Sequence, residues 1–209
     1  PHNDIDKCRT QLDRANKIVA ETGGGILLIT EGVFGMSGDQ GKLKEITQIG
    51  AELIGDNKSD ADAEVIAMTI DSLLKCGLEE FQIEIGHVDY FHGLMEAAGL
   101  NEDEVNELMT LLSNKNFFGV EELITRCNVP ENVKDIFNKL PELTGQIEVI
   151  NTARSLFTNE LINNALDRME KLYELLTMYG FEKYISFDLG IIANFDYYSG
   201  IIFHGYTYG

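Results

Sequence analysis

The sequence predicts an α+β fold with a mainly antiparallel sheet. Its apolar, β-rich runs follow one another through glycine-rich loops and hairpins, with no regular alternation of strand and helix of the kind that builds a parallel sheet. Long stretches with apolar residues at steps of three and four mark amphipathic helices. A length of 209 residues, 44% of them hydrophobic and only three of them proline, suffices for one sizeable core with a small satellite domain.

Ile5, Cys8, Leu12, Ala15 and Val19 repeat at helical spacing and predict a helix from about Ile5 to Ala20, stopped by Gly23-Gly24-Gly25. Ile26-Leu27-Leu28-Ile29 runs on to Val33-Phe34 as a first strand, and a Gly, Ser and Asp loop at Gly35 to Gly41 leads to a second strand at Lys44 to Ile54. A helix starts at Ser59 or Asp60, where acidic residues suit the positive end of the helix dipole. It buries Val65, Ile66, Ile70, Leu73 and Leu74, and ends at Gly77. Phe81-Gln82-Ile83-Glu84-Ile85 alternates strictly, as a half-exposed strand should.

From His87 to about Ile150 the signals are helical only: Tyr90 to Ala98 ended by Gly99, Asn101 to Leu112, Val120 to Arg126, and Glu131 to Lys139 behind Pro130. Asn159 to Tyr179 is the longest helix, with Leu161, Ile162, Leu166, Met169, Leu172, Leu176 and Tyr179 on its apolar face and Gly180 as its stop. Strands at Tyr184 to Leu189 and Asp196 to His204 complete the sheet. The organisation expected is a core in two parts, residues 1–86 and 156–209, interrupted by a helical insertion over 87–155.

Composition excludes several functions. Sixteen Lys and Arg against 35 Asp and Glu leave a net charge of -19, which repels a phosphate backbone and disfavours nucleic acid. No apolar run approaches the roughly 18 residues of a membrane span, and no secretory leader is evident. Cys8, Cys76 and Cys127 are odd in number and scattered, which fits a reducing cytoplasm. No cofactor motif is present.

Two segments carry candidate chemistry. In an extended strand Gln48, Gly50 and Glu52 share one face, while Thr47, Ile49, Ala51 and Leu53 share the other. Glycine between an amide and a carboxylate lets a ligand reach the backbone, and Glu52 can accept hydrogen bonds from an ammonium group. A solvated sheet face has the same pattern. The second segment is Asn194-Phe195-Asp196-Tyr197-Tyr198-Ser199-Gly200. Consecutive tyrosines in a strand point to opposite faces, so one packs while the other offers ring and hydroxyl to a pocket; aromatic pairing across a sheet explains them equally.

These segments carry a resemblance. GKLKEITQIGAELIG (41–55), ADAEVIAMTIDSLLKCGLEEFQIEIGHVDYFHGLMEAAGL (61–100) and FDLGIIANFDYYSGIIFHGY (187–206) resemble the histidyl-tRNA synthetase paralogues that serve as regulatory subunits of ATP phosphoribosyltransferase. The resemblance covers nearly the whole chain, most weakly before Gly32 and between Gly119 and Ser155. It implies a class II aminoacyl-tRNA synthetase-like antiparallel sheet flanked by helices. It also implies that Gln48 and Glu52 hold a histidine amino group, that Tyr197 and Tyr198 line that pocket, and that Gly50, Asp196 and Gly200 support it.

Two departures separate paralogue from synthetase. Ala193 and Gly35 stand where a synthetase carries arginines, and arginine is what stabilises the charge that develops as a carboxylate attacks an α-phosphate. The resemblance therefore implies a non-catalytic subunit in the cytoplasm that binds and activates the short catalytic ATP phosphoribosyltransferase. Such a subunit responds to L-histidine and self-associates through a synthetase-like dimer. A divergent histidyl-tRNA synthetase fragment and a free-standing histidine-binding module are the alternatives. The first class-defining motif of the synthetases, their glycine-rich Arg-Tyr-Asp loop and their third motif lie outside these residues, so further chain is expected at both ends.

Other features are expected to be structural. His87 and His92 are five apart, off a shared helical face, so His87, Asp89, His92 and Glu96 are not expected to bind metal, and a histidine at a strand–helix junction serves as a cap or in packing. The triple glycine lacks the lysine of a phosphate loop. Met68, Met95, Met109 and Met169 fall at helical core positions, Glu102-Asp103-Glu104 opens a helix, and Cys127 is expected to be an inert thiol.

Overall fold

The computed structural model describes the backbone of residues 26–35, 45–191 and 198–207, and the side chains of 50–191 and 198–207. The helix expected at Ile5 to Ala20, the triple glycine, most of the loop after Gly35, and Asp196 with Tyr197 lie outside the described residues. The chain divides into two compact units, Pro1–Val65 and Ile66–Gly209.

The first unit holds an antiparallel hairpin, β1 (Ile26–Gly35) and β2 (Glu45–Ile54). Ile26 lies opposite Ile54 and Gly35 opposite Glu45, with no slip across the ten pairs that these two close. Helix α1 (Ser59–Lys75) carries Asp60 and Asp62 in its first turn, as its sequence predicts. Ile66 and Ile70 are buried, whereas Val65, Leu73 and Leu74 are only half-buried. Gly77 follows at φ 85, a left-handed position that stops a helix cleanly.

The second unit is a four-stranded sheet in the order β4 (Thr144–Gly145), β5 (Ile185–Asp188), β3 (Phe81–His87), β6 (Ile201–Thr207). β6 runs antiparallel to β3 and β4 antiparallel to β5. The central pair, β3 and β5, is parallel, so the sheet is mixed, a departure from the mainly antiparallel expectation. The cause is the connection: all of residues 88–184 lie between these two strands, long enough to return the chain to the same end of the sheet. The two-residue β4 falls within the stretch whose signals are wholly helical, because a Thr-Gly pair is too short to show a period of two.

The helices are α2 (Val88–Ala98), α3 (Glu102–Ser113), α4 (Phe117–Arg126), α5 (Glu131–Lys139), α6 (Glu148–Leu156) and α7 (Glu160–Met178). Asn159 caps α7, accepting from the Ile162 N–H at 2.8 Å, and its Nδ2 donates to the Gly93 carbonyl of α2 at 2.9 Å. α7 buries Ile162, Leu166, Met169, Leu172 and Leu176, and Tyr173 meets the buried Phe187 of β5 with ring centroids 6.0 Å apart. Tyr179, expected on this face, is 57% exposed, because the helix ends at Met178 beyond the edge of the core. At the start of β3, Phe81 stacks on the buried Tyr184 at 4.7 Å.

The last two strands begin later than their sequences suggest. Glu182–Tyr184 is a 3-10 turn before β5, and β6 starts at Ile201, so Tyr198 precedes the strand. α4 starts earlier than expected, at Phe117, since the Asn116 side chain accepts from the Gly119 N–H at 3.1 Å.

α3 is closed by a reciprocal cap: the Glu104 N–H donates to Asn101 Oδ1 at 3.1 Å, and the Asn101 N–H donates to Glu104 Oε2 at 2.9 Å. Asn101→Ala should cost about 1 kcal/mol in urea unfolding, whereas Asn101→Asp keeps the acceptor and most of the stability. Equal losses in both variants would show that the cap contributes nothing.

Candidate functional site

The residues expected to bind histidine fall in two groups. β2 places Gln48 opposite Gly32, Gly50 opposite Thr30 and Glu52 opposite Leu28, so the three share a face by their period of two. Glu52 is exposed and Gly50 half-buried. In the second unit, Tyr198 is 51% exposed. Gly200 has φ 82 and its carbonyl accepts from the Val88 N–H at 2.9 Å, so a left-handed turn there swings the chain into β6 and ties it to the start of α2. Asp196 and Tyr197 lie outside the described residues.

Sequence reasoning missed a second polar cluster. β3 buries Phe81, Ile83 and Ile85 and leaves Gln82 and Glu84 half-buried on the opposite face. Glu84 pairs with His204 of β6 on one side and Ser186 of β5 on the other, and Gln82 pairs with Tyr206. Asp188, two residues beyond Ser186, shares this face. Gln82 Nε2 donates to the Lys183 carbonyl at 3.0 Å, while its buried Oε1 accepts from no group among the described residues. The ring of His204 meets that of Tyr206 edge-on at 6.4 Å.

The electrostatics of this face are those of carboxylates drawn out of water near one another. Burial holds the Glu84 carboxyl above its usual range and the charge of Asp188 adds to this, while Lys115 and His204 pull it back. Burial likewise raises the Asp188 carboxyl, against the Gly190 N–H that its Oδ1 accepts at 2.8 Å and against Lys115 and His204. The Tyr206 hydroxyl is pushed up by burial and by both carboxylates. Lys115 reaches this environment from the loop between α3 and α4, where its φ is 53. Two carboxyls that hold a proton more tightly than usual thus lie beside an imidazole and a phenol, a set of groups that can donate and accept hydrogen bonds. The signal was present in the alternation of Phe81 to Ile85; alternation shows which residues share a face, but not which strands lie beside it.

His87, at the junction of β3 and α2, serves as the cap expected of a histidine there. His87 Nδ1 accepts from the Asp89 N–H at 3.1 Å, and burial pushes the imidazole down to about 4. His92 Nδ1 lies 3.5 Å from Asp89 Oδ1. Burial, followed by the Glu104 carboxylate, raises the Cys127 thiol, which disfavours the reactive thiolate. Among the described residues no three His, Cys, Asp or Glu side chains are grouped to hold a metal ion, and no helix is long and apolar enough to cross a membrane.

A protein of Acetivibrio thermocellus named ATP phosphoribosyltransferase regulatory subunit is 44% identical over 169 residues, which are 81% of this chain and 40% of that protein. The chain thus spans less than half the length of this relative. A crystal structure described as an ATP phosphoribosyltransferase regulatory subunit/histidyl-tRNA synthetase from Bacillus halodurans C superposes with a TM-score of 0.83 at 36% identity, covering 92% of this chain and 50% of that one. Histidyl-tRNA synthetase from Nostoc sp. PCC 7120 shares the fold, with a TM-score of 0.71 at 15% identity over 86% of this chain and 43% of its own. These neighbours bear out the class II synthetase-like α+β fold. The family model for histidyl-tRNA synthetase matches residues 31–209, and the chain belongs to that family.

Proposed function

We propose that the protein is a non-catalytic regulatory subunit of ATP phosphoribosyltransferase, the enzyme that condenses ATP with phosphoribosyl pyrophosphate at the start of histidine biosynthesis. In this reading it works in the cytoplasm, activates the short catalytic subunit, self-associates through a synthetase-like dimer and carries feedback inhibition by L-histidine. Gln48, Glu52, Tyr197 and Tyr198 are the histidine-binding residues, supported by Gly50, Asp196 and Gly200. Residues 87–155 are an insertion into a core formed by 1–86 and 156–209.

The observation that carries the reading is chemical. A carboxylate for an amine is kept, with Glu52 exposed on β2, while Gly35 and Ala193 stand where a synthetase needs arginines to stabilise adenylate formation. Amine recognition survives that loss, and acyl activation does not. The names of the relatives support the same role. Coupling to the catalytic subunit requires that histidine bind the active and inactive assemblies with different affinity.

The test is the rate of phosphoribosyl-ATP formation by the cognate short catalytic subunit, with and without the full-length protein, across a histidine titration. Rate should appear only with both chains and fall as histidine rises. Glu52→Ala should raise the histidine concentration for half-inhibition by at least about tenfold, the loss of one charge-assisted hydrogen bond of roughly 1.5–3 kcal/mol. A rate indifferent to the protein refutes the reading, and histidine-dependent ATP–pyrophosphate exchange would replace it with the synthetase.

A further inference from the structure

The turn that carries Tyr198 ends on the start of α2. Past the His87–Ile201 pair, where β3 and β6 stop, one more bond follows: the Val88 N–H donates to the Gly200 carbonyl at 2.9 Å. Val88 is the first residue of α2, and the opening N–H groups of a helix have no partner within it, so this donor serves the turn without cost to the helix. Gly200 lies two residues from Tyr198 at φ 82, in the left-handed region, and a Cβ there would meet nothing within 4 Å. Glycine is favoured at this position by the backbone conformation and not by crowding.

The α2 side of this contact is firmly held. Val88, Tyr90 and Phe91 are buried, and the His87 imidazole caps the first turn through the Asp89 N–H. Before them, β3 closes tightly on the end of β5: a Cβ on Gly86 would stand 2.9 Å from the Asp188 carbonyl oxygen. On the other side, Tyr198 and Ser199 are exposed. A buried, capped helix start thus supplies the fixed reference for an exposed segment, as a supporting shell does for a binding residue.

We infer that Val88 is a positioning residue for the histidine site: its N–H, through the Gly200 carbonyl, sets where Tyr198 stands for the ligand. The inference rests on the reading of Tyr198 as a histidine-binding residue and deepens it, since it names what places that residue. A shift of about 1 Å in the turn is enough to misplace a ring and hydroxyl that must meet a ligand. Holding the turn in one conformation also removes an ordering cost that binding would otherwise carry.

Calorimetry of histidine binding to the full-length protein, with melting temperatures measured alongside, tests this in Val88→Pro, Val88→Ala, Gly200→Ala, Gly200→Asn and Tyr198→Ala. Proline is well tolerated at the first helical position, and His87, at φ -140 and ψ 126, has the extended backbone that proline demands of the residue before it. Val88→Pro thus removes the N–H while leaving α2 its start. Histidine should then bind at least about fivefold more weakly, the loss of one backbone hydrogen bond of about 1 kcal/mol. Val88→Ala keeps the N–H and opens a cavity, so its melting temperature should fall while its affinity stays within about twofold of wild type. Gly200→Ala, strained at positive φ, should also bind about fivefold more weakly, and Gly200→Asn, which takes the left-handed conformation more readily, should recover most of that loss. Affinities that merely follow the melting temperatures across both pairs, or wild-type affinity in Val88→Pro, would overturn the positioning role while leaving the histidine site standing. Should Val88→Pro not fold, equal losses in the two Gly200 variants would overturn it alone. Wild-type affinity in Tyr198→Ala would instead remove Tyr198 from the histidine site, and the inference with it.

Discussion

Gly93→Ala should lower the stability of the folded chain by about 2 kcal/mol, even though the same exchange in an exposed helix interior gains up to about 1 kcal/mol from helix propensity. Gly93 lies inside α2 where that helix crosses α7, and a Cβ there would stand 2.6 Å from Ile162 Cγ1 and 3.0 Å from Asn159 Oδ1. Neither neighbour can give way cheaply. Ile162 is fully buried and β-branched, so its side chain is confined to few rotamers. Asn159 is fixed at both ends of its amide, accepting from the Ile162 N–H and donating to the carbonyl of Gly93 itself. The added methyl must therefore spread the two helices or break the cap that starts α7.

The expected readout is a melting temperature lower by about 4–8 °C, at roughly 2–4 °C per kcal/mol for a chain of this size. A second substitution isolates the cause. Ile162→Ala alone should cost about 2–5 kcal/mol by leaving a cavity, but in the double variant the alanine at 93 partly fills that space, so the two losses should sum to more than the double variant shows by at least about 1 kcal/mol. Additive losses would show that the clash between these two side chains is not the cause.

Much of this seam could be read in the sequence, and its tightness could not. The spacing of Ile162, Leu166, Met169, Leu172 and Leu176 shows a buried helical face, and the strict alternation of Phe81 to Ile85 shows a half-exposed strand, because both are periodicities of one element. That Gly93 faces Ile162 across 69 positions of sequence depends on the crossing of two elements, which no local pattern records. The same limit hid the cluster of Glu84, Asp188, His204 and Tyr206, whose members come from three strands and meet only through register. Parallel pairing of β3 and β5 was equally hidden, since a strand carries no mark of its neighbour's direction. That Gln48, Gly50 and Glu52 share one face was legible because one strand supplies all three. The later start of β6 has a local cause: the left-handed Gly200 interrupts a run that otherwise reads as continuous β-sequence from Asp196.

Lowering the pH from about 7.5 to 5 should remove about 2 kcal/mol of folding stability through His87 alone, taking its folded-state pKa of about 4 against 6.5 for the free side chain. His87 Nδ1 accepts the Asp89 N–H, so the neutral ring must carry its proton on Nε2, and protonation converts the accepting nitrogen into a donor and abolishes the cap. Burial is the main cause of the depressed value, and Arg168 and His92 add to it while the Asp89 carboxylate opposes it. A depressed value means that the folded state holds its proton less tightly than the unfolded chain. The contribution is therefore fully present above pH 6.5 and is lost as the pH falls toward 4. The raised carboxyls of Glu84 and Asp188 act in the opposite direction, since they bind protons more tightly when folded and favour the folded state as the pH falls through and below their range. The wild-type curve alone thus mixes both slopes, whereas its difference from His87→Asn does not. Asparagine keeps a capping acceptor and cannot titrate, so the stability gap between wild type and His87→Asn should narrow or reverse by about 2 kcal/mol between pH 7.5 and 5. Parallel unfolding curves for the two proteins across that range would show that the imidazole is not the group that titrates.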